Sequence, residues 1–262
     1  MNYIVTALDA EARVFIEHYR LKRDTTLPYT VYKGKDTLLL VTGMGKTNAM
    51  MALSALLGYR LPGRNDNLIN IGICGAPSEY ELGEALLIHQ LIDKHRRYYP
   101  DILYTHTLRE TSLICVNSPV ESPLSFPVDM ESTGVFQAAS KFFKLHRMAF
   151  VKIVSDHCQP DSVTKEGVVS LMKSHLGTLD SLLSSLQSVA QEHPLFSEEE
   201  FKEINLWKSY FTVAQGVQLE DAVCYFRLKD SARPFPFPKM EIPVSKRERS
   251  VLLESFIATL TA

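Results

Sequence analysis

The chain has 262 residues, 45% of them apolar and 22% charged, with a net charge of −2. That balance is typical of a globular protein with a core of its own, and it offers no excess of cations for nucleic acid or an anionic membrane. No apolar run approaches the roughly 18 residues of a transmembrane helix, and the length is long for one domain but short for two full ones.

Strands and helices alternate over the first 190 residues. Tyr3–Leu8 reads as a short apolar strand, and Ala10–Tyr19 has helical spacing, with Val14, Phe15 and His18 on neighbouring turns. Tyr29–Lys33 and Thr37–Val41 form an expected hairpin about Gly34-Lys35-Asp36. The Ala-, Met- and Leu-rich stretch Lys46–Leu57 is a helix. Asn67–Ile71, closed by Gly72, is a buried strand, and Glu84–Ile92 a longer one. Ser112–Val116 is the next strand, followed by a helix over Glu131–Phe143, a strand over Met148–Val154 and one long helix from about Val163 to Ala190. Such alternation implies a mostly parallel sheet covered on both faces.

After Pro194 the character changes. Ser197 followed by Glu198-Glu199-Glu200 is a helix N-cap with an acidic first turn. Two or three helices are expected beyond it, interrupted by Arg233-Pro234-Phe235-Pro236-Phe237-Pro238, where alternate prolines forbid helix. The expected organisation is therefore an α/β domain over residues 1–192 and a mainly helical, proline-containing appendage over 193–262. The appendage is rich in aromatic residues (Trp207, Tyr210, Phe211, Phe235, Phe237), more than a free tail tolerates, and is expected to pack on the α/β domain or form a subunit contact.

Cys74, Cys115, Cys158 and Cys224 are scattered without a C-x-x-C pair, which argues against a zinc site or a disulfide framework. Met1-Asn2-Tyr3-Ile4-Val5 lacks the basic start of a signal peptide, so a cytoplasmic location with free thiols is expected. Gly43-Met44-Gly45-Lys46-Thr47 invites a P-loop reading, but Leu40 stands where that loop needs its first glycine. What survives is a Gly-rich turn at a helix N-terminus, either structural or facing a ligand with its amides. The end of the strand Asn70–Ala76 has Gly72 and Gly75, which let backbone approach a ligand or simply let the strand leave the sheet. Cys74 reads as a small buried hydrophobe. Asp9 and Glu11 follow the first strand, where a carboxylate ordinarily just complements the helix dipole. Lys94–Tyr99 is a basic, aromatic cluster read as a solvated loop or subunit contact. His157 is a candidate proton carrier beside Asp156.

The most informative pair is Glu131, at a helix start, and Asp156, at the end of the apolar run Met148–Val154. An open α/β fold presents its ligands at the carboxyl edge of its sheet, and two carboxylates there can hold hydroxyls and move a proton. The motifs also stand in a familiar order. Ala7-Leu8-Asp9-Ala10-Glu11, Val41 to Ala49, Leu68 to Ala76, Leu82-Gly83-Glu84, Val128-Asp129-Met130-Glu131 and Ile153-Val154-Ser155-Asp156 together resemble the nucleoside phosphorylase/nucleosidase superfamily, most closely its methylthioadenosine/S-adenosylhomocysteine nucleosidase branch. The resemblance runs from Ile4 to about residue 190. It implies an α/β fold with a mixed central sheet flanked by helices, and a subunit that assembles with copies of itself, a homodimer first.

It also implies roles. Asp156 would be the general acid that protonates the leaving purine, and Glu11 would orient and deprotonate the attacking water. Glu131 would accept hydrogen bonds from the ribose hydroxyls, and Met130 would pack beneath the sugar. Gly43 and Gly75 are further candidates for substrate contact, and Phe126 is a candidate for stacking on the base. Three features depart from the family pattern. Ile73 stands where nucleosidases have a serine, Lys152 replaces an arginine four residues before the acid, and residues 117–127 are shorter than the family's base-covering segment. The expected activity is hydrolysis of the N-glycosidic bond of a purine or 5′-modified purine nucleoside, without metal or organic cofactor. A phosphate-dependent phosphorylase, or a nucleoside-binding protein without turnover, are the alternatives.

Overall fold

Four strands explain most of the architecture: β1 (Asn2–Thr6), β4 (Thr37–Val41), β5 (Asn67–Gly75) and β10 (Met148–Asp156). They are nearly continuous apolar runs because both of their faces are covered. Alternate side chains point to opposite faces. Tyr3, Val5, Leu38, Leu40, Met148, Phe150 and Val154 meet α2 (Lys46–Tyr59) and α3 (Ser132–Ala139) in one core. Ile4, Leu39, Val41, Ala149, Val151 and Ile153 meet α1 (Asp9–His18), α4 (Lys165–Ser174) and α5 (Leu176–Ala190) in a second.

This computed structural model describes residues 1–63, 65–190, 195–229, 234–236 and 245–261. They divide into two compact units, Met1–Ala190 and Gln191–Ala262. The expected boundary at 192/193 falls outside the described residues, as do Arg233, Phe237 and Pro238.

In the first unit the sheet is mixed. β1 runs parallel to β4 and β5, and β5 parallel to β10. β3 (Thr30–Lys33) is antiparallel to β4, because a short turn joins them, and β2 (Lys22–Asp24) lies antiparallel beyond it. On the other side β6 (Ala85–Asp93) is antiparallel to β10 and parallel to β8 (Arg109–Cys115). The two-residue strand β9 (Val128–Asp129) bridges β8 and β5. Since β10 pairs with both β5 and β6, the five strands β5, β9, β8, β6 and β10 close on themselves.

Several boundaries differ from the sequence expectation, each for a physical reason. β1 ends at Thr6 because the amides of Ala7 and Leu8 turn to the Glu11 carboxylate, 2.9 Å away in both cases. The expected helix over 163–190 is two helices. α4 starts at Lys165, where the Thr164 hydroxyl accepts the Gly167 N–H, and stops at His175, whose Nε2 is 2.7 Å from the Gly83 carbonyl. α3 ends at Ala139 rather than Phe143, and the chain folds back so that Phe143 meets the Tyr3 ring edge-on at 5.3 Å. The basic cluster at 94–99 is a hairpin rather than a loop: β7 (Arg96–Tyr98) pairs back on β6 through Lys94, which takes a left-handed φ of 51°.

The second unit holds α6 (Glu198–Ser209), α7 (Val213–Lys229) and α8 (Lys246–Thr261). The Ser197 cap forms as expected: its hydroxyl accepts the Glu200 N–H while the Glu200 carboxylate accepts the Ser197 N–H. Trp207 and Phe211 are buried with Leu219, Phe226, Leu253 and Phe256 in a core of this unit's own. Phe235 packs on Phe196 and Phe226, with ring centres 5.6 and 5.3 Å apart. No helix among the described residues is long and apolar enough to cross a membrane.

Candidate functional site

The parallel strands β1, β5 and β10 reach the same edge of the sheet, and a cavity of about 330 Å³ opens there. Each strand contributes the residues at or just past its end: Ala7, Leu8 and Glu11 after β1, Ile73 to Gly75 from β5, and Ser155, Asp156 and Cys158 from β10. The turn from β9 into α3 adds Val128 to Glu131, and residues 116–120 close a side with Val116, Pro119 and Val120. The short segment at 117–127 thus walls the cavity through its first part.

Glu11 is 2% exposed, on the first turn of α1. Its Oε2 accepts the N–H groups of Ala7 and Leu8, and its Oε1 accepts that of Ile73, all at 2.9 Å. A β-carbon on Gly72 would stand 2.6 Å from Oε1, so the glycine leaves the space that the carboxylate occupies. Burial pushes the carboxyl above its ordinary range, against the opposing pull of the three amides and of Lys152.

Glu131 caps α3 and is buried. Its Oε1 accepts the Gly45 N–H at 2.7 Å, which joins the Gly-rich turn before α2 to the cavity. Burial, and then the neighbouring Asp129 charge, push its carboxyl up to about 7, while Lys152 and the Gly45 amide pull the other way.

Asp129 and Lys152 form a buried ion pair, Nζ to Oδ2 2.9 Å, between β9 and β10. The Ser132 N–H donates to the same oxygen at 3.0 Å, and the Ser132 hydroxyl, also 3.0 Å from Asn70 Oδ1, donates to it as well. Asp129 Oδ1 is buried and accepts no hydrogen bond among the described residues, as expected of a single-point ammonium where a guanidinium would fork. Burial alone would push the Lys152 ammonium down, but the carboxylates of Asp129, Glu131 and Glu11 outweigh it and hold the ammonium above its ordinary value. The sequence reading did not place this pair in the site. Its signal was a lysine inside an otherwise apolar run, Met148 to Val154: a cation in a strand buried on both faces needs a carboxylate partner.

Asp156 closes the site from β10. Its Oδ1 accepts the Gln159 N–H at 2.7 Å, and its Oδ2 lies 2.7 Å from the Ser155 hydroxyl. That hydroxyl is also 3.1 Å from the Cys74 carbonyl, so its one proton can turn to either oxygen. Between Asp156 and Gln159 the chain passes through Cys158 at φ 58°, a left-handed residue that buries its thiol in the cavity wall.

The structure therefore gathers Glu11, Gly75, Met130, Glu131 and Asp156 around one cavity. Gly43 and Phe126 do not line it. The Gly43 N–H is taken by the Ala7 carbonyl at 3.1 Å, its left-handed φ of 78° serves the turn, and its neighbour Met44 reaches the cavity instead. Phe126 is half-buried outside the lining. The Lys46 ammonium is held by both oxygens of Asp93 at 2.8 Å, away from any phosphate role. His157 also lies outside the lining, with Nδ1 donating to the Ala76 carbonyl at 3.1 Å. Burial pushes the Cys74 thiol well above its ordinary range, which makes it a poor nucleophile.

Residues 3–123 match the family model described as the phosphorylase superfamily. No curated protein matches the chain. Among solved structures, the 5′-methylthioadenosine/S-adenosylhomocysteine nucleosidase of S. pneumoniae with a transition-state inhibitor is similar over 72% of this chain and 100% of its own, at 17% identity and a TM-score of 0.58. The corresponding enzyme of Neisseria meningitidis, in complex with methylthio-immucillin-A, is similar over 71% of this chain and 98% of its own, at 14% identity and a TM-score of 0.57. Futalosine hydrolase of Helicobacter pylori is similar over 70% and 97%, at 13% identity and a TM-score of 0.56. At such identities the likeness is one of fold. Residues 3–123 thus carry the sequence pattern of the phosphorylase superfamily, and the chain has the fold of that superfamily's nucleosidases.

Proposed function

We propose that the protein is a nucleosidase that hydrolyses the N-glycosidic bond of a purine or 5′-modified purine nucleoside. The observation that carries this reading is the convergence of Glu11, Glu131 and Asp156, from three separate elements, on one cavity. Cleavage of that bond passes through an oxocarbenium-like ribose, so the protein must protonate the departing base, hold the sugar and deliver a nucleophile. Asp156 supplies the proton. When the Ser155 hydroxyl turns to the Cys74 carbonyl, a protonated Asp156 can donate to the base, and when Ser155 turns back it stabilises the resulting carboxylate. Glu131 accepts the Gly45 N–H on Oε1 and the Met130 N–H, at 3.3 Å, on Oε2, with a lone pair left on each oxygen for the 2′- and 3′-hydroxyls and Met130 as the apolar floor. Glu11, fixed by three amides and strengthened as a base by burial, orients water against the anomeric carbon. Leu8, Met44, Pro119 and Val120 leave apolar wall for a base or a 5′ substituent.

Water is favoured over phosphate as nucleophile by the charge of the site. Glu11, Asp129, Glu131 and Asp156 all line the cavity, and no lysine, arginine or histidine does so among the described residues. Asp129 is paired with Lys152 behind the wall, but a phosphate dianion would find no cationic side chain in the lining to hold it. The same reading places the protein in the cytoplasm as a homodimer or larger homo-oligomer, which light scattering of the intact chain checks. The activity is tested by incubating the protein with a panel of purine and 5′-modified nucleosides, with and without phosphate. Free base released without phosphate supports the reading. Strict phosphate dependence would make it a phosphorylase, and binding without cleavage, a binding protein, the outcome that the apolar Ile73 at the nucleophile side favours.

A further inference from the structure

We propose that His157 is a positioning residue for Asp156: its imidazole staples the exit of β5 to the exit of β10 and so fixes where the acid stands. The acid's role comes from the nucleosidase reading; the staple stands on geometry. β5 and β10 run parallel and in step as far as Cys74 and Val154, and there the register slips, so that Asp156 rather than Ser155 is the partner of Gly75. A bulge re-aims the side chains beyond it, and Asp156, the first residue past this one, lines the cavity.

The slip also changes how the two exits are held together. Ala76 donates its N–H to the Asp156 carbonyl at 3.0 Å. In a regular parallel ladder the Ala76 carbonyl would then accept the N–H of Cys158, two residues further on. Cys158 turns away at a left-handed φ of 58°, and His157 Nδ1 donates to that carbonyl instead, at 3.1 Å. A carbonyl only accepts, so Nδ1 carries the proton. Ala76 is buried, where a carbonyl left without a donor is costly. The side chain thus supplies a bond that the backbone has given up.

Two contacts of the acid depend on the β5 exit staying in place. The Cys74 carbonyl, 3.1 Å from the Ser155 hydroxyl, competes with Asp156 Oδ2 for that proton. A β-carbon on Gly75 would stand 3.3 Å from Asp156 Oδ1, so the carboxyl rests directly against the strand exit. His157 itself does not line the cavity and acts on the reaction only through these contacts.

The experiment compares the full-length wild type with His157→Asn, whose amide nitrogen stands where Nδ1 stands, and His157→Phe, which fills the ring space without a donor. Base release from a purine nucleoside gives kcat and KM, and deuterium exchange at the Ala76 amide reports the staple. His157→Phe is expected to lower kcat by about tenfold to a hundredfold with KM within about twofold, as a misplaced acid does. It should also speed exchange at Ala76 by about tenfold or more, and His157→Asn should recover most of both. Equal losses of kcat in the two variants would make His157 a proton carrier and overturn the proposal. So would unchanged kcat and exchange in His157→Phe, or a loss confined to KM. If His157→Phe does not fold, His157→Ala takes its place in both measurements. A wild type that releases no base would remove the nucleosidase reading, while exchange at Ala76 in the two variants would still decide whether His157 holds the turn.

Discussion

Replacing Glu131 by glutamine removes one titrating carboxyl yet keeps an oxygen for the Gly45 N–H, which lies 2.7 Å from Oε1. Burial and the Asp129 charge raise this carboxyl from an ordinary 4.5 to about 7. The folded chain therefore holds the proton more tightly than the unfolded chain does. That contribution to stability is fully present below about pH 4.5 and is lost as the pH rises through about 7. At about 1.4 kcal/mol per pH unit, ionising Glu131 in place costs about 3 kcal/mol at alkaline pH. The glutamine variant does not carry that cost. Its stability relative to wild type should improve by about 2.5 kcal/mol between pH 5, where part of the loss has already occurred, and pH 8.5, read from urea titrations followed by circular dichroism. The substitution removes one titrating carboxyl, so the difference reports this position together with the charges of Asp129 and Lys152 that act on it. An unchanged difference between the two pH values would refute the reasoning. The gain in stability should accompany a loss of function, with ribosides weakened far more than 2′-deoxyribosides.

Other substitutions probe the remaining parts of the site and fold. Asp156→Asn should keep the fold and lower turnover by about 10²–10⁴-fold, the usual loss of a general acid, measured as base release. Gly72→Ala places a β-carbon 2.6 Å from Glu11 Oε1 and should displace that carboxylate, reducing kcat in a protein whose melting point falls only modestly; unchanged kcat would separate Glu11 from the chemistry. Gly134→Ala would put a β-carbon 2.1 Å from the Lys46 carbonyl, backbone that cannot yield, so α2 and α3 should separate and the first unit should lose about 3 kcal/mol or more, seen in its melting transition. Trp207→Ala should destabilise the three-helix unit by about 3–5 kcal/mol, measured by the protease sensitivity of residues 195–261.

Much of this was legible in the sequence because it is local. Strands buried on both faces announce themselves as short apolar runs, and the carboxylates that converge on the cavity sit in short motifs near the ends of such runs, as Glu11, Glu131 and Asp156 do. The Ser197 cap is read directly from a serine and a glutamate three residues later. What escaped depends on partners distant in the chain. A two-residue strand such as β9 has no periodicity to recognise, and the closure of β5, β9, β8, β6 and β10 follows from pairings that no window contains. The break between α4 and α5 coincides with the bond of His175 to Gly83, 92 positions earlier. Lys94 turns the β6–β7 hairpin at a left-handed φ without being glycine or asparagine, so the usual turn signal is missing. Lys152 was visible as an exception within an apolar strand, but only the fold shows Asp129 as its counter-ion.

The central claim is that three carboxylates deliver water, and not phosphate, to the anomeric carbon of a nucleoside. It is tested most directly by running the reaction in ¹⁸O-labelled water with phosphate present and weighing the released sugar by mass spectrometry. The account predicts free purine base and a free sugar carrying one ¹⁸O at the anomeric position, with both lost in Asp156→Asn. A sugar 1-phosphate without label, or intact nucleoside after binding, would contradict it.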